Sequence, residues 1–556
     1  MSNNLSNHPD TTVVNPASSP VANISWDQSA CVREGTREFI KSLSTPVTLS
    51  NEELRDGCMN AIKEAIVARN LLDSGSKVRA PHKLPNCSIA DLILIKYIVR
   101  RFSWTGEDED GCMAAIYQSN GPKEGLYRGD DAYFQKLVRE FEYTANRSDV
   151  NEVINILEGK AELVHPCTDQ DVIPFNNGIF NYKTKQLLPF SPDLYLLRKS
   201  KVNYPLYPVS NPQITMPDGV IWDFDSFIAS LSDDPEIQDL ILKVCGAVLR
   251  PNVRWDHVVC LSGNRGMNGK GTLCELLREL CGEGAYAGLK ISQFSKDSLV
   301  AQLITSIAVI SDENDTNATI NDVANFKAAA TGDSISIDRK YKSSITFKFS
   351  GLIVECVNAL PNIKDNTESF LRRLLMIPFE KTFKGIERKY IKANYIKRPE
   401  VLEYVVWKTM NMPDYYEFPE PDACIKLLEK YKEHNDTVLE FVKDVFPDFA
   451  WEKVPQTFVI DLYYSWCRYN HVHPDTNGST KIKEKIQSYV SALFPGKWAF
   501  HPGDERINKK DNLNPELMIY HYGLDNWRSS TYKGTDPAKI SMTVFKKSYK
   551  NVYERI

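Results

Sequence analysis

The chain has 556 residues, 42% of them hydrophobic and 25% charged, with a net charge of −5 at neutral pH. That length allows about three to four domains; the absence of a run of about eighteen apolar residues excludes a membrane-spanning helix, and a basic-then-apolar leader pattern is missing, which argues against secretion. Twelve cysteines without a C-x-x-C pair suggest neither a zinc site nor a disulfide framework but reduced thiols in a cytosol, and the near-balanced charge neither demands nor excludes nucleic acid, because a ring can carry its positive charge inside a channel.

Residues 1–30 are rich in Ser, Asn, Pro and Thr and read as a disordered arm. From 31 to 149 the pattern predicts a mostly helical N-terminal domain, with apolar residues at three-to-four spacing over 52–72 and 90–102. The run Glu107-Asp-Glu-Asp110, between Gly106 and Gly111, reads as a solvated acidic turn rather than a metal site. No primase signature is visible. Residues 150–232 turn to short strands punctuated by Asn-Gly and Pro, as in an α+β domain. There Asp223 and Asp225 raise the question of a magnesium site. Lacking an adequate preceding strand, Asp223 reads instead as the N-cap of a helix over 224–231.

Residues 233–412 carry the chemistry. A helical lead-in (235–249) precedes the apolar run Val258–Leu261, which predicts a buried strand, and the leucines of 273–280 predict a helix. Between strand and helix lies Gly263-Asn-Arg-Gly266-Met-Asn268-Gly269-Lys270-Gly271-Thr272. Backbone N–H groups and the positive end of a helix converge on anionic oxygens in such a turn, and Lys270 adds a full charge. The expected nucleotide-binding positions are Gly266, Asn268, Gly269, Lys270, Gly271 and Thr272. Asn264 stands where the first glycine of G-x-x-x-x-G-K-[ST] belongs, and Gly271 where the magnesium-binding hydroxyl belongs; Thr272 is the nearest hydroxyl. A tight strand-to-helix connection would account for the glycines but not for the lysine.

A second strand, Ile307–Ile310, delivers Asp312 and Glu313 to its end, one carboxylate for a metal and one for an attacking water. A third, 351–357, ends in Asn358, whose amide can orient a water or a terminal phosphate. Between these two, 334–349 alternates like a hairpin with the basic tip Arg339-Lys340-Tyr341-Lys342, suited to a phosphate backbone. Arg372 and Arg373 precede another apolar strand, and one of them could reach a neighbouring subunit's phosphate.

Residues 413–556 read as a linker, a helix over 425–435 and a separate module: helices at 437–446, 459–469 and 482–494, then strands near 518–522 and 543–549. From Asn477 onward there are 14 Lys+Arg against 8 Asp+Glu, a local basic excess consistent with duplex binding. His471 and His473 lack companions for a metal site and read as a polar turn.

The series Asn268-Gly-Lys-Gly-Thr272, Ile310-Ser-Asp-Glu313, Thr331-Gly-Asp333, Asp338-Arg-Lys340-Tyr341, Val357-Asn358 and Arg372–Phe379 resembles the superfamily 3 helicase core. Within that group it looks most like the C-terminal halves of phage and plasmid primase–helicases and the poxvirus-type replicative NTPases. Ile173-Pro-Phe-Asn-Asn-Gly178 and Leu188-Pro-Phe-Ser-Pro192 resemble the domain that precedes the ATPase there. The resemblance implies a multi-domain α/β protein with a P-loop AAA+-type core over 233–412 and a winged-helix-like domain within 413–556. It implies ATP and Mg2+ as cofactors, Lys270 on the phosphates, Thr272 and Asp312 at magnesium, Glu313 at water and Asn358 as sensor. Arg372, or less readily Arg373, would be the finger, and Arg339, Lys340, Tyr341 and Lys342 would meet DNA. The expected activity is that of a ring-forming helicase, a hexamer translocating 3′→5′ on single-stranded and forked DNA, with a separate primase and no membrane partner. Its expected place is the cytoplasm of a bacterium, replicating a phage, satellite or plasmid-like element. The competing class is an origin-binding initiator that contacts duplex DNA through the C-terminal domain and melts it without processive unwinding. A nucleotide kinase, suggested only by Gly-Lys-Gly-Thr, is disfavoured by the paired arginines and basic hairpin.

Overall fold

The computed structural model describes residues 27–72, 77–104, 111–263, 266–312, 319–320, 324–339, 342–357, 362–363, 368–434, 436–472, 474–475, 478–507, 512–543 and 549–556. Most of the expected arm lies outside these residues, as do the acidic turn at 107–110, Asn264, Glu313, Lys340, Tyr341, Asn358 and His473. The chain divides into two compact units: one takes residues up to 101 with 114–116 and 129–162, the other takes the rest.

The first unit is built on helices α1 (Gln28–Ser42), α2 (Asn51–Leu72), α3 (Asn86–Lys96), α4 (Asp131–Phe141) and α5 (Arg147–Lys160). α1 starts inside the stretch read as an arm, because the Asp27 carboxylate caps it by accepting from the Ala30 N–H at 2.8 Å. Leu54, Ile62, Ile66, Ile89, Leu92, Phe134, Val138, Val153 and Leu157 are buried together. α1 and α2 touch at Gly35, where a Cβ would come within 2.6 Å of the Ile62 Cα, so only glycine permits that approach. The helix expected over 90–102 stops at Lys96; Tyr97 is extended and Val99–Phe102 is a strand. The unbroken apolar run carries no stop signal of its own, so periodicity overran the true end. The boundary expected at residue 150 falls inside α5, whose start is set by a capping box between Asn146 and Asp149.

In the second unit a three-stranded antiparallel meander, β1 (Val172–Phe175), β2 (Gly178–Asn181) and β3 (Gln186–Leu188), turns its aromatic residues into the main core. Two helices follow, α6 (Phe224–Leu231) and α7 (Pro235–Ala247). Asp223 caps α6, accepting from the Ser226 N–H at 2.9 Å, while Asp225 accepts from the Tyr404 hydroxyl at 2.9 Å and from Lys408 at 2.7 Å. Both carboxylates serve the fold.

The centre of the unit runs β4 (Val258–Ser262), α8 (Lys270–Cys281), β5 (Tyr286–Ala287), β6 (Ala308–Ser311), α9 (Ala324–Thr331), the hairpin β7 (Ser334–Arg339) and β8 (Lys342–Lys348), β9 (Leu352–Val357) and β10 (Leu374–Pro378). Five strands form one parallel sheet in the order β5-β6-β9-β4-β10. β4, β6 and β9 are buried on both faces, as their unbroken Val/Ile/Leu-rich sequences require. Val259 and Leu261 enter one apolar cluster with α8, while Val258 and Cys260 enter another with the hairpin's Ile335, Ile337, Ile345 and Phe347.

Beyond the sheet come α10 (Lys389–Ala393), α11 (Pro399–Asn411) and α12 (Asp422–His434). α12, the helix expected over 425–435 before the C-terminal module, packs Leu427, Leu428 and Tyr431 against the sheet's cluster. The module itself is α13 (Thr437–Val445), β11 (Lys453–Pro455), α14 (Gln456–Tyr469), α15 (Gly478–Leu493), β12 (Trp498–Glu505) and β13 (Tyr549–Arg555), its antiparallel strands ordered β11-β13-β12. The strand expected at 518–522 is a helical turn, Met518–His521, and β12 was not anticipated. Among the described residues no helix is long and apolar enough to cross a membrane, and no group of three metal-ligating side chains occurs. All twelve cysteines are free thiols.

Candidate functional site

In chain order the parallel strands run second, third, fourth, first, fifth across the sheet. The first strand, β4, therefore lies between the fourth and fifth; its own connection runs across the sheet to β5, while that of its neighbour β9 runs the other way, past β4, to β10. An open α/β sheet binds ligands at such a switch point. Ser262 pairs with Val357, and Ser311 with Glu355, so the strand ends that lead to the glycine-rich turn, to Asn358 and to Asp312 share that edge.

The turn is held at three places. The Phe379 N–H donates to the Ser262 carbonyl at 2.7 Å, the Phe383 N–H to Met267 at 2.7 Å, and the Asn268 side chain to the Phe379 carbonyl at 3.3 Å. Gly269 has φ +90°, and a Cβ there would collide with Leu231; one at Gly263 would stand 2.6 Å from the Phe379 carbonyl. Two of the loop's glycines are thus required by geometry. Lys270 is the first residue of α8 and only 4% exposed, its ammonium donating to the carbonyls of Gly263 at 2.6 Å and Val357 at 3.1 Å. Burial draws its pKa below that of an ordinary lysine. A buried cation among carbonyls at a helix N-terminus carries a desolvation cost that an anionic ligand relieves.

Asp312 follows β6 directly and is solvent-exposed. The Arg278 guanidinium, from two turns into α8, donates to its carboxylate at 2.9 Å. That hydrogen bond is the main reason the Asp312 carboxyl titrates below the usual carboxylate range; the Lys392 charge adds to it. Arg278 is correspondingly harder to deprotonate, through the same bond. Thr272 sits in the first turn of α8, half-buried, and Gly271 meets only the Lys392 ammonium, 3.5 Å from where a Cβ would be.

The paired arginines stand elsewhere. They occupy the turn before β10; the Arg373 carbonyl accepts from the Val258 N–H at 2.8 Å, at the start of β4. The loop leaves from the end of β4, four residues or about 13 Å along the strand. Arg372, exposed, is thereby kept at the opposite edge of the sheet from the loop of its own chain. The hairpin pairs Ser334 with Lys348 through to Arg339 with Lys342, and Ser336 and Thr346 hydroxyls share a 2.6 Å hydrogen bond on its outer face.

Sequence reasoning missed Arg278 and Lys392. Neither belongs to a local motif; each reaches the site through tertiary packing. A spacing signal did exist for Lys397, which pairs with Glu275 and Glu279, neighbours at i,i+4 on α8.

Comparison with known proteins adds three family matches. Residues 95–246 match the D5 N terminal like family, 261–373 a family of unknown function, DUF5906, and 433–527 the Poxvirus D5 protein-like family. The middle match spans the loop, Asp312 and the paired arginines. The chain is similar to the helicase-named protein L207/L206 of Acanthamoeba polyphaga mimivirus, at 24% identity over 361 residues. That alignment covers 58% of this chain and 35% of the mimivirus protein, so the chain spans about a third of that relative's length. Two solved structures of the NrS-1 C-terminal region align at 12% and 13% identity with TM-scores of 0.39 and 0.38, covering 84% and 76% of this chain and 98% and 97% of theirs. The D5-type matches and the helicase-named relative make the chain similar to D5-like primase–helicases over those stretches.

Proposed function

We propose that the chain is an ATP-dependent DNA helicase with a P-loop AAA+-type core of superfamily 3, assembling as a hexameric ring that moves 3′→5′ along single-stranded and forked DNA. Its setting is replication of a phage, satellite or plasmid-like element in a bacterial cytoplasm, with primers from a separate primase. The observation that carries the reading is Lys270: a buried ammonium at the start of α8, just past the C-terminal end of β4, an interior strand of the parallel sheet. The donor set suits a magnesium nucleotide. Gly263 and Gly269 keep the loop clear of Cβ atoms, and one hydroxyl (Thr272) and one carboxylate (Asp312) stand on α8 and at the end of β6.

In this reading Gly266, Asn268, Gly269, Lys270, Gly271 and Thr272 enclose the phosphates. Thr272 and Asp312 hold magnesium, Glu313 orients the attacking water and Asn358 senses the terminal phosphate. Bound magnesium–ATP supplies the hydrolysis that drives movement. Arg372, with Arg373 as its alternate, serves the site of the neighbouring subunit, in keeping with its distance from its own loop. Arg339, Lys340, Tyr341 and Lys342 grip one strand in the channel. The test is strand displacement on forked DNA with ATP and magnesium. Wild type should unwind, and Lys270→Ala and Arg372→Ala should not; wild type that hydrolyses ATP yet displaces nothing would refute the helicase reading.

A second reading, an initiator that melts an origin without processive unwinding, draws on the C-terminal module. Its order α13, β11, α14, α15, β12, β13 with sheet order β11-β13-β12 supports reading the module as a winged helix. Deletion of residues after about 430 that abolishes sequence preference, in a protein with no processive unwinding, would favour it.

A further inference from the structure

We infer that Lys392, on α10, is a second cation for the phosphate chain of the nucleotide, acting in the same subunit as Lys270. The inference rests on the nucleotide-binding reading of the loop. Its basis is the ground beside Gly271. A Cβ at this second residue of α8 would meet one neighbour, the Lys392 ammonium at 3.5 Å. The residue that ordinarily presents a hydroxyl there has been replaced by one with no side chain, and a lysine from another helix projects into the same place.

α10 is fixed so that this is where Lys392 points. Tyr390 and Ile391 pack against the main core, and the Tyr390 hydroxyl reaches the Met216 sulfur at 3.6 Å. Arg388, just before the helix, pairs with Asp218 at 2.6 Å. Beyond it, Lys397 is taken by Glu275 and Glu279 of α8, and Arg398 by the Asn394 side chain at 2.9 Å. Lys392 itself has no hydrogen bond and no ion pair among the described residues, and it is exposed. Its field is felt at Asp312, whose carboxylate is already engaged by Arg278.

Electrostatics makes this arrangement unfavourable when empty. Lys270 and Lys392 each bring an ammonium group to the first turn of α8, at the positive end of the helix, and the Asp312 carboxylate is already taken by a guanidinium. A ligand carrying several negative charges reverses the sign of that interaction. AMP, with one phosphate, would gain less from Lys392 than ATP, because the cation stands by the phosphates and makes no contact that reads the base.

The experiment is equilibrium binding of a fluorescent ATP analogue to the full chain, with competition by ATP, ADP and AMP, for wild type, Lys392→Ala, Lys392→Arg, Lys389→Ala and Lys270→Ala. Lys392→Ala should weaken ATP by roughly tenfold or more, the size of one charge-assisted hydrogen bond. AMP should change less, Lys392→Arg should restore most of the loss, and Lys389→Ala, on the same helix, should bind as wild type. Melting without nucleotide should not fall for Lys392→Ala, which separates phosphate contact from a structural role. If Lys392→Ala binds ATP as tightly as wild type while Lys270→Ala does not, Lys392 is not a phosphate contact, although the loop is a nucleotide site. If Lys270→Ala also binds normally, the nucleotide reading fails and takes this inference with it.

Discussion

On the proposed reading, Asp312 and Arg278 form the contact on which the chemistry of the site turns. The carboxylate must be ionised to hold a cation, and the guanidinium 2.9 Å away keeps it so to lower pH than an ordinary aspartate. Because the folded pKa is depressed, the ionised state is secure above the usual carboxylate range and is lost only as pH falls through the lowered value. Arg278→Gln removes the largest of those influences, so the acid limb of the ATPase pH profile should move to higher pH while the alkaline limb stays. An unchanged acid limb would mean that Asp312 does not limit turnover at low pH. At this scale the sequence announced Asp312 by its place after an apolar strand. Its partner lies 34 positions away on another element, and nothing in local spacing could have named it.

Elements carry two further expectations. The first concerns the crossing of α1 and α2 at Gly35. Replacing Gly35 with alanine puts a methyl 2.6 Å from the Ile62 Cα and 2.8 Å from the Ala61 carbonyl, both backbone atoms with nowhere to go. Alanine's better helix propensity is worth about 0.5–1 kcal/mol, but forced separation of the helices should cost about 1–3 kcal/mol. Urea unfolding should show a net loss; equal or greater stability would mean the helices are free to part. The second concerns Glu516, 1% exposed beside Met518–His521, whose carboxylate accepts from the Ala450 N–H at 2.8 Å. Burial raises its pKa from 4.5 to about 7, against the lowering effect of the backbone donors. The folded protein therefore keeps a proton that the unfolded chain gives up. This contribution is fully present below pH 4.5 and is lost as pH rises to about 7. The loss is on the order of 3 kcal/mol, at 1.36 kcal/mol per pH unit. Glu516→Gln should flatten the decline in melting temperature between pH 5 and 8; a parallel decline in both proteins would assign the slope to other groups.

Several of these elements were legible and some were not, for reasons that differ. The strand–turn–helix at 258–281, the 334–348 hairpin and the Asp223 cap follow from patterns a few residues long, and the structure has them close to where the patterns lie. Residues 97–102 and 518–522 read wrongly because an apolar run fits strand and helix alike until a pairing partner chooses between them.

For the whole molecule, the decisive geometry is the separation of the two ends of β4. Lys270 belongs to the loop after the strand, and Arg373 bonds to the residue that begins it. An arginine that completes catalysis from that position can do so for a neighbour's site and not for its own. Inactive Lys270→Ala and inactive Arg372→Ala subunits, mixed in equal amounts, should therefore regain ATPase activity at interfaces that pair an intact loop with an intact arginine. No recovery under conditions where the mixed proteins co-assemble would rule out action in trans.

The sequence by itself determined the loop with its lysine, the apolar strands, the carboxylate after the second of them and the basic hairpin turn, because each is a local pattern written within one element. Only the tertiary structure decided that Arg278 holds Asp312, that Lys392 comes to lie beside Gly271, and that the paired arginines stand at the far edge of the sheet. Those facts depend on the strand order β5-β6-β9-β4-β10 and on helices packed across it. They arise from contacts between residues tens to more than a hundred positions apart, which no short-range pattern encodes.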